Sequence, residues 1–326
     1  MRNVRILIVA AFSAFFKQGG GETEAIALNK ALAMHGAEAE LYGPMASGLE
    51  SYDLVIFFSC HPSGLELLFS CNELGIKFIF WPNFWIGDER RLNNDEIETV
   101  NTFCRFSDRI VMKSQSELNL FQQYFSFDKY KIMRINWFID SDFCKSTDSQ
   151  RFKDLYGLND YFLTVGLLEP IKNQLNLIRA AQLAEKKIVH IGGFRHKQYY
   201  EECRQAAKDN VVFIPHIPSN SPILKAAYSG CEAFIEVSLD PPGRSALEAA
   251  FFKKILILSD STWAKEIFHD TAILVNPNSV ESIQQSLESF NKFKNSHDQG
   301  RRLLLEKHLP DNALSKLFQY IENIER

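Results

Sequence analysis

Two successive series of short apolar segments, each alternating with helix-like stretches, constrain the fold of this chain more than any other feature. The first series comprises residues 4–11, 39–42, 54–58, 78–80 and 110–112, and the second comprises residues 162–165, 188–191, 211–213, 233–237 and 255–258. Because these segments are mainly apolar runs rather than alternating apolar and polar residues, they indicate strands that are buried on both faces of a parallel sheet. The pattern predicts an α/β protein with two doubly wound, Rossmann-like domains, and with ligand in a cleft at the carboxyl ends of the strands.

A polar stretch without clear periodicity separates the two series at residues 140–158, and we interpret it as a domain linker. The chain has 326 residues, and a single hydrophobic core usually stops growing at about 250–300 residues. We therefore predict one domain at residues 1–145 and a second at residues 146–308. A last helical stretch follows within residues 309–326.

The composition excludes several classes of function. A net charge of −4 offers no electrostatic footprint for nucleic acid. The longest apolar runs are too short for a transmembrane helix, which needs about 20 residues. The six cysteines are scattered without a C-x-x-C pair, which argues against a zinc site and for a reducing compartment. We therefore expect a cytoplasmic protein.

Residues 240–248, with the sequence Asp-Pro-Pro-Gly-Arg-Ser-Ala-Leu-Glu, are typical of an anion site between a strand and a helix. Unpaired N–H groups at such a helix start can bind phosphate, here those of Gly243, Arg244 and Ser245. Glu248 would lie roughly 7 Å along the helix axis, which suits a ribose, and Asp240 would lie near a donor sugar. The alternative is an ordinary helix that begins after a Pro-Gly turn and carries one acid.

Two further loops could contact phosphate. Glycines at 19–21 precede the first helix, so Gly20 and Gly21 would let the backbone approach a phosphate closely; a flexible β–α loop is the alternative. Lys172 ends the loop after the strand at residues 162–165 and could point its ammonium at a diphosphate, unless it is simply solvated. Gly192 and Gly193, directly after another strand, predict a tight turn without chemistry.

Four side chains near strand ends are candidates for ligand contact. His61 and Asn83 could bind substrate on the acceptor side, and Trp81 could stack on a sugar face. His61 could equally cap a turn, and tryptophan here could equally pack in the core. His216 could border a nucleobase, although a partly buried histidine with a backbone partner is the preferred interpretation.

An apolar, weakly basic edge at Phe12, Phe15, Phe16 and Lys17 would suit a peripheral membrane contact with a lipid-linked acceptor. Ordinary core packing is the alternative in a chain with 27 phenylalanines.

Taken together, these motifs resemble the retaining glycosyltransferases of glycosyltransferase family 4, which have the GT-B fold. The segments that carry the resemblance are residues 19–36, 107–114, 135–140, 165–173, 240–248 and 266–277. The resemblance implies two domains that face each other across a cleft, and a C-terminal helix that crosses back to the N-terminal domain. It implies a nucleotide-diphosphate sugar as donor, a glycan or lipid-linked acceptor, and a role in polysaccharide biosynthesis. We expect no tightly bound metal or other cofactor, because no His/Asp cluster shows metal-ligand spacing.

The same resemblance implies roles for individual residues. Lys172 would hold the diphosphate, Glu248 the ribose and Asp240 the hydroxyls of the donor sugar, and these three are the expected catalytic residues. Gly20 and Gly21 would cover the phosphates from the first domain. The chemistry would be a front-face displacement in which the departing diphosphate helps to deprotonate the acceptor.

The chain departs from the family at three positions. Asp240 stands where glutamate is usual, Leu167 where an arginine is expected, and residues 81–83 where a histidine is frequent. Loss of the guanidinium removes a bidentate phosphate contact that a lysine does not replace. A catalytically weak homologue that regulates a partner transferase is therefore the alternative hypothesis. An epimerase or phosphorylase would need further acid/base carboxylates or a Schiff-base lysine, and no lysine here is clearly set up for the latter.

Overall fold

The computed structural model describes residues 4–10, 20–83, 92–140, 143, 147–293 and 298–324. These residues form two compact units. Unit 1 comprises Met1–Phe138 together with Pro310–Arg326, and unit 2 comprises Ile139–Leu309.

The strands and helices alternate along most of the chain, as the apolar pattern predicts. The strands are β1 (Arg5–Ala10), β2 (Glu38–Leu41), β3 (Leu54–Phe58), β4 (Lys77–Trp81), β5 (Arg109–Met112), β6 (Ile132–Arg134), β7 (Phe162–Val165), β8 (Ile188–Ile191), β9 (Val211–Ile214), β10 (Ala233–Glu236), β11 (Ile255–Ser259) and β12 (Ala272–Val275). The helices are α1 (Gly20–Met34), α2 (Gly64–Leu74), α3 (Asn94–Phe106), α4 (Gln115–Tyr124), α5 (Gln150–Tyr156), α6 (Gln174–Leu183), α7 (Lys197–Ala206), α8 (Pro222–Gly230), α9 (Arg244–Phe251), α10 (Thr262–Phe268), α11 (Val280–Ser289), α12 (Asp298–His308), α13 (Pro310–Ala313) and α14 (Ser315–Glu322).

Unit 1 contains a parallel sheet with the strand order β2-β1-β3-β4-β5-β6. Every residue of β3 is buried, as expected for a central strand covered on both faces. One face of the sheet packs on stacked phenylalanine rings, among them Phe57, Phe80 and Phe103. The C-terminal helix α14 belongs to this unit and buries Leu317 and Phe318 in its core.

Unit 2 contains a second parallel sheet, with the order β12-β11-β10-β7-β8-β9. Both sheets therefore have the doubly wound arrangement predicted from the sequence. The strand order reverses between β1 and β3 in unit 1 and between β7 and β10 in unit 2. Ligands of such folds bind at these switch points, beyond the carboxyl ends of the strands.

The polar stretch at residues 140–158 is not an extended linker. It lies in unit 2 and contains α5, whose Phe152 is fully buried beside the ring of Tyr161. The backbone N–H of Ile139 also donates to the carbonyl of His308, 3.0 Å away, at the end of α12. Seven residues of helix with one buried apolar side chain are too short to give a clear helical period, which explains the misreading.

None of the helices in the described part of the chain combines the length and the apolar character needed to cross a membrane. The expected apolar edge at Phe12, Phe15, Phe16 and Lys17 lies outside the described residues, as does Gly19.

Candidate functional site

The switch point of unit 2 brings together two of the residues singled out from the sequence. Lys172, in the loop after β7, places its Nζ 2.6 Å from Oδ2 of Asp240, in the loop after β10. The same ammonium lies 3.7 Å from Oε1 of Glu236, the last residue of β10. The two loops that flank the strand reversal therefore meet in one charged cluster, hereafter the lysine cluster (Lys172, Glu236 and Asp240).

Backbone and amide hydrogen bonds hold the two loops against each other. The N–H of Leu239 donates to the carbonyl of Ile171 at 2.8 Å. The side-chain amide of Asn173 donates to the carbonyls of Val237 at 3.0 Å and Pro277 at 2.8 Å. Asn173 has a left-handed backbone (φ 55°), a conformation that asparagine tolerates better than most residues. Lys172 is thus placed by its neighbour, a role that sequence reasoning missed.

Lys172 carries a positive charge at neutral pH. Burial by itself lowers the pKa of this lysine, but the charges of Asp240 and Glu236 and the hydrogen bond to Asp240 outweigh that effect and raise the pKa above its ordinary value. The other carboxylate oxygen of Asp240, Oδ1, is buried and makes no hydrogen bond to any residue that the structure describes. A buried acceptor, which would ordinarily bind water or ligand, therefore lacks a hydrogen bond beside a fixed cation.

Glu236 is a member of the lysine cluster that the sequence analysis did not identify. It is buried, and its two oxygens accept hydrogen bonds from the hydroxyls of Ser238 and Ser245, each at 3.2 Å. Burial raises the pKa of Glu236 above the ordinary carboxyl value, and the charge of Lys172 offsets part of the increase. The sequence signal that could have identified Glu236 is a single acid in the otherwise apolar segment 233–237, because a charged residue on a central strand needs a partner.

Helix α9 begins directly beside this cluster. Its N-cap is Gly243, which provides no side chain to cap the first turn, whereas Ser221 caps α8. The start of a helix carries unsatisfied N–H groups and a partial positive charge. Among the candidate phosphate ligands, Ser245 is oriented by Glu236, and the side chain of Arg244 lies almost fully buried. The arrangement is suited to an anion.

Glu248 lies one turn further along α9 and is buried rather than projecting freely. Its Oε2 accepts a 2.9 Å hydrogen bond from the hydroxyl of Tyr228, and its Oε1 lies 4.0 Å from the guanidinium of Arg244. Burial raises the pKa of Glu248, while the charge of Arg244 and the Tyr228 hydroxyl act in the opposite direction. Tyr228 was also missed by sequence reasoning, since nothing local marks a tyrosine 20 positions away as a partner.

Gly192 does more than form a tight turn. Its φ is 157°, and a Cβ there would lie 2.7 Å from the carbonyl carbon of Gly166 and closer still to its oxygen. Close approach of the loops after β7 and β8 therefore requires glycine. Two backbone hydrogen bonds fasten this approach, from Gly166 to Ile191 at 3.0 Å and from Leu168 to Gly193 at 2.8 Å.

Two histidines of unit 2 differ in their environment. His190 on β8 is fully buried, and burial lowers its pKa to about 4, so the ring is neutral at physiological pH. His216, by contrast, is exposed in the loop after β9, so the expectation of a partly buried histidine is wrong. The loop follows β9, an edge strand that has a neighbouring strand on one side only. Contact of His216 with a nucleobase stays a prediction.

The glycines before α1 also differ from expectation. Gly20 and Gly21 are not in a loop but form the first turn of α1. A Cβ on Gly21 would overlap Nδ2 of Asn83, so this glycine allows the helix start to pack against the loop after β4. A predicted contact of either glycine with phosphate stays a prediction.

Unit 1 contains a pocket of about 500 Å³ at the ends of β3 and β4, hereafter the unit 1 pocket. The described residues that line it are Glu22, Phe58, Ser59, Cys60, His61, Pro62, Pro82, Asn83, Asn93, Asp95, Glu96, Thr99 and Val100. His61 and Asn83, both expected on the acceptor side, are thus brought together. The volume lies in the range of small-molecule sites, about 300–1,000 Å³.

His61 caps the turn that follows β3, one of its two expected roles. Its Nδ1 accepts a hydrogen bond from the backbone N–H of Ser63 at 3.2 Å and lies 2.8 Å from the Ser63 hydroxyl. Because a backbone N–H can only donate, Nδ1 is the accepting nitrogen of the ring and Nε2 carries the proton. The cap therefore leaves a hydrogen-bond donor for a ligand.

Trp81 is not an acceptor-side residue. It is completely buried at the end of β4, and its ring stacks on Phe58 with the centroids 4.5 Å apart. A central strand of a doubly wound sheet is covered on both faces, so the core-packing alternative holds. Phe84 and Trp85, which follow in the same segment, lie outside the described residues.

Within residues 146–301, the chain matches the family model described as "Glycosyl transferases group 1". This part of the chain is thus similar to the glycosyltransferase group 1 family. It contains the lysine cluster, the start of α9 and Glu248, whereas the unit 1 pocket lies outside the match. Over the described residues, no group of three or more histidine, cysteine, aspartate or glutamate side chains forms a potential metal site.

Solved structures of similar fold agree with this match. HepE of Anabaena in complex with UDP and glucose is 16% identical with a TM-score of 0.80, over 98% of this chain and 100% of that one. A glycosyltransferase from Rickettsia africae is 16% identical with a TM-score of 0.79 over the whole of both chains. Sucrose-phosphate synthase of Thermosynechococcus elongatus is 12% identical with a TM-score of 0.77, over 98% of each chain. These similarities confirm the predicted two-domain GT-B architecture. Among curated proteins, none matches this chain.

Proposed function

We propose that this protein is a retaining glycosyltransferase of the family 4 type, which transfers a sugar from a nucleotide-diphosphate donor to a glycan or lipid-linked acceptor. The observation that carries the proposal is the lysine cluster at the unit 2 switch point, beside the uncapped start of α9 and inside the part of the chain that is similar to the glycosyltransferase group 1 family. The HepE structures that share the fold contain UDP or UDP-glucose, which supports a uridine nucleotide as the first donor to test.

In this proposal the cluster and the helix start share the diphosphate. The Lys172 ammonium and the N–H groups of Gly243, Arg244 and Ser245 bind its oxygens, because each is a fixed donor or charge close to the same point. Asp240 then accepts from hydroxyls of the donor sugar through Oδ1, the oxygen that Lys172 does not occupy. Glu248 accepts from the ribose hydroxyls, with Tyr228 holding its other oxygen.

Transfer with retention would proceed on one face of the donor sugar. The bond between the anomeric carbon and the diphosphate oxygen breaks while the acceptor oxygen bonds to the same face of that carbon. The acceptor proton passes to an oxygen of the departing diphosphate, so the protein supplies no separate base. Its task is to position the two substrates and to stabilise the charge that develops on the leaving group. His61 and Asn83 in the unit 1 pocket are the proposed acceptor-side residues.

The proposal is tested by measuring hydrolysis and transfer from UDP-glucose, together with melting temperatures in the presence of UDP, GDP, ADP, CMP and their common sugars. A ligand at 100 times its Kd adds about 2.7 kcal/mol of stability, which a thermal shift detects easily. Glu248→Gln should weaken the UDP-sugar interaction about 10- to 100-fold, because it removes charged hydrogen bonds to the ribose. A protein whose melting temperature responds to none of these nucleotides would contradict the proposal.

Tyr228→Phe is expected to raise the KM for UDP-glucose several-fold while kcat changes little. The substitution removes the hydrogen bond that holds Glu248 and lowers the free energy of unfolding by about 1–2 kcal/mol. Tyr161→Phe is the matched control, because the buried Tyr161 hydroxyl also makes one hydrogen bond, to the Ala227 carbonyl at 2.7 Å. Equal KM values for the two variants would show that Tyr228 has no role in placing Glu248.

A second candidate is a catalytically weak homologue that binds nucleotide sugar and regulates a partner transferase. It is favoured by the charge balance at the site, since two carboxylates already neutralise Lys172 and Leu167 stands in place of an arginine. Tight UDP binding without hydrolysis or transfer by the purified protein would support this candidate. Measurable turnover that Glu248→Gln abolishes would exclude it.

We place the protein in the cytoplasm, with peripheral contact at the inner membrane face. The free state of Cys60, Cys71, Cys104, Cys203 and Cys231 supports a reducing compartment. The location can be checked by fractionating cells that express the tagged protein.

A further inference from the structure

A buried lysine lies next to the unit 1 pocket, without forming part of its lining. Lys113 follows β5, is 7% exposed, and places its Nζ 3.1 Å from Oε2 of Glu24 on α1. The ammonium also lies 5.1 Å from the centre of the Trp137 ring. Lysine is almost never fully buried unless it is paired, and desolvating two charges costs free energy that an apolar pair would avoid. The pair therefore calls for an explanation beyond stability.

Lys113 determines which way the Asn83 side chain faces. Its Nζ lies 2.6 Å from the amide atom assigned as Oδ1. An ammonium only donates hydrogen bonds, so the atom it contacts must be the oxygen, and the assignment follows from chemistry. The NH₂ group of Asn83 is then turned away from Lys113, beside Gly21 at the start of α1. Because Asn83 lines the pocket, its orientation matters for a ligand there.

The polar groups of the pocket suit a ligand with uncharged hydroxyl groups. Because Lys113 contacts Oδ1 of Asn83 and the Ser63 N–H contacts Nδ1 of His61, the NH₂ group of Asn83 and the Nε2–H of His61 remain for a ligand, and both are donors. Glu22, Asp95 and Glu96 supply carboxylates, which only accept and carry negative charge. A sugar hydroxyl can accept a hydrogen bond from Asn83 or His61 and donate one to a carboxylate. A phosphate group, an anion that mostly accepts, would be repelled by the three carboxylates.

We propose that the unit 1 pocket binds the acceptor through uncharged sugar hydroxyls, and that Lys113 is the positioning residue that keeps the Asn83 amide turned to donate to one of them. This inference rests on the proposed function for the identity of the ligand as acceptor. It adds to that function the chemical class of ligand that the pocket binds. It also adds a residue outside the pocket lining, Lys113, that orients a lining residue.

Binding to the full chain without donor tests the inference. The probes are methyl α-D-glucopyranoside and methyl N-acetyl-β-D-glucosaminide, with glucose 6-phosphate as the charged comparison, all measured by saturation-transfer NMR. Asn83→Asp keeps an oxygen for Lys113 but loses the NH₂ donor, and is expected to weaken binding of a neutral glycoside about 5- to 10-fold. Glu24→Gln/Lys113→Met removes both charges of the buried pair together, so neither is left uncompensated, and should weaken binding by a similar factor.

Non-additivity separates positioning from a general structural effect. With Glu24→Gln/Lys113→Met already present, Asn83→Asp should cost little more, because the amide is no longer oriented. Lys77→Met is the control, since Lys77 is a half-exposed lysine of unit 1 that pairs with Asp108 at 3.1 Å. If the double variant does not fold, Lys113→Arg replaces it, because arginine keeps a buried cation. Its planar guanidinium should also shift the Asn83 amide and weaken binding of the neutral glycoside.

Three results would overturn the inference. Glucose 6-phosphate binding more tightly than both neutral glycosides, or neither glycoside binding at all, would reject the ligand class. Additive losses in the combined variant, or unchanged binding in both Lys113 variants, would reject the positioning role. UDP affinity is measured on the same samples: glycoside binding without UDP binding would contradict the proposed function while leaving this inference standing.

Discussion

Lys172→Met is expected to lower kcat/KM for UDP-glucose by about 100- to 1,000-fold, the loss typical of removing one group that stabilises a developing charge. The ammonium lies where the loops after β7 and β10 meet, 2.6 Å from Asp240 and 3.7 Å from Glu236. A diphosphate bound at the start of α9 would lose the Lys172 charge. It would also face Glu236 and Asp240 without the ammonium that pairs with both.

The expected loss should fall on both kcat and UDP affinity, because the diphosphate is part of the ground state and of the leaving group. Lys172→Arg should recover part of the activity, since it restores the charge with a different geometry. Lys197→Met is the control, because Lys197 is an exposed lysine of unit 2 that pairs with Glu201 one turn away. Circular dichroism confirms that each variant is folded. A folded Lys172→Met protein with nearly normal kcat/KM would refute the assignment of the diphosphate site.

Gly192→Ala is expected to destabilise unit 2 by about 2–4 kcal/mol and to impair donor binding. The new methyl group would overlap the carbonyl of Gly166, and alanine is strained at a φ of 157°. Relief of that overlap requires the loop after β7 to move, and this loop carries Lys172. The two effects should therefore appear together, as a lower urea midpoint and a higher Kd for UDP.

The neighbouring position provides the matched control. A Cβ on Gly193 would meet only Cδ2 of Leu167 at 3.8 Å, an ordinary contact, and its backbone is not in the left-handed region. Gly193→Ala should therefore change the urea midpoint and UDP affinity very little, although the composition changes by the same methyl group. Similar destabilisation by both substitutions would mean that close approach of the two loops is not what requires glycine at 192.

Much of the fold could be predicted because its signals are local. A strand buried on both faces is apolar along its whole length, and β3 follows that rule. Capping residues are also local: Asn93 and Glu96 form a capping box at the start of α3. Helix α5 was missed because seven residues with one buried phenylalanine carry too little periodicity.

The candidate site could be predicted only in part, and the reason is the range of the contacts. Lys172 and Asp240 were each suggested by loop chemistry, because both follow strands that end at one edge of the sheet. Glu236 and Tyr228 act through side chains that meet only after the strands are ordered. Trp81 was placed wrongly because position after a strand does not reveal whether a side chain turns into the core.

Apolar periodicity was therefore sufficient to predict two parallel α/β sheets, and turn chemistry was sufficient to propose an anion site at residues 240–248, since both depend on residues close together in the chain. Tertiary packing was needed to pair Lys172 with Glu236 and Asp240, to bury Glu248 against Tyr228, and to orient Asn83 through Lys113. Each of these pairings joins residues between 20 and 68 positions apart. Burial then determines the charge of these side chains and the direction in which they point, because a polar group removed from water must find a hydrogen-bond or ion-pair partner within the fold.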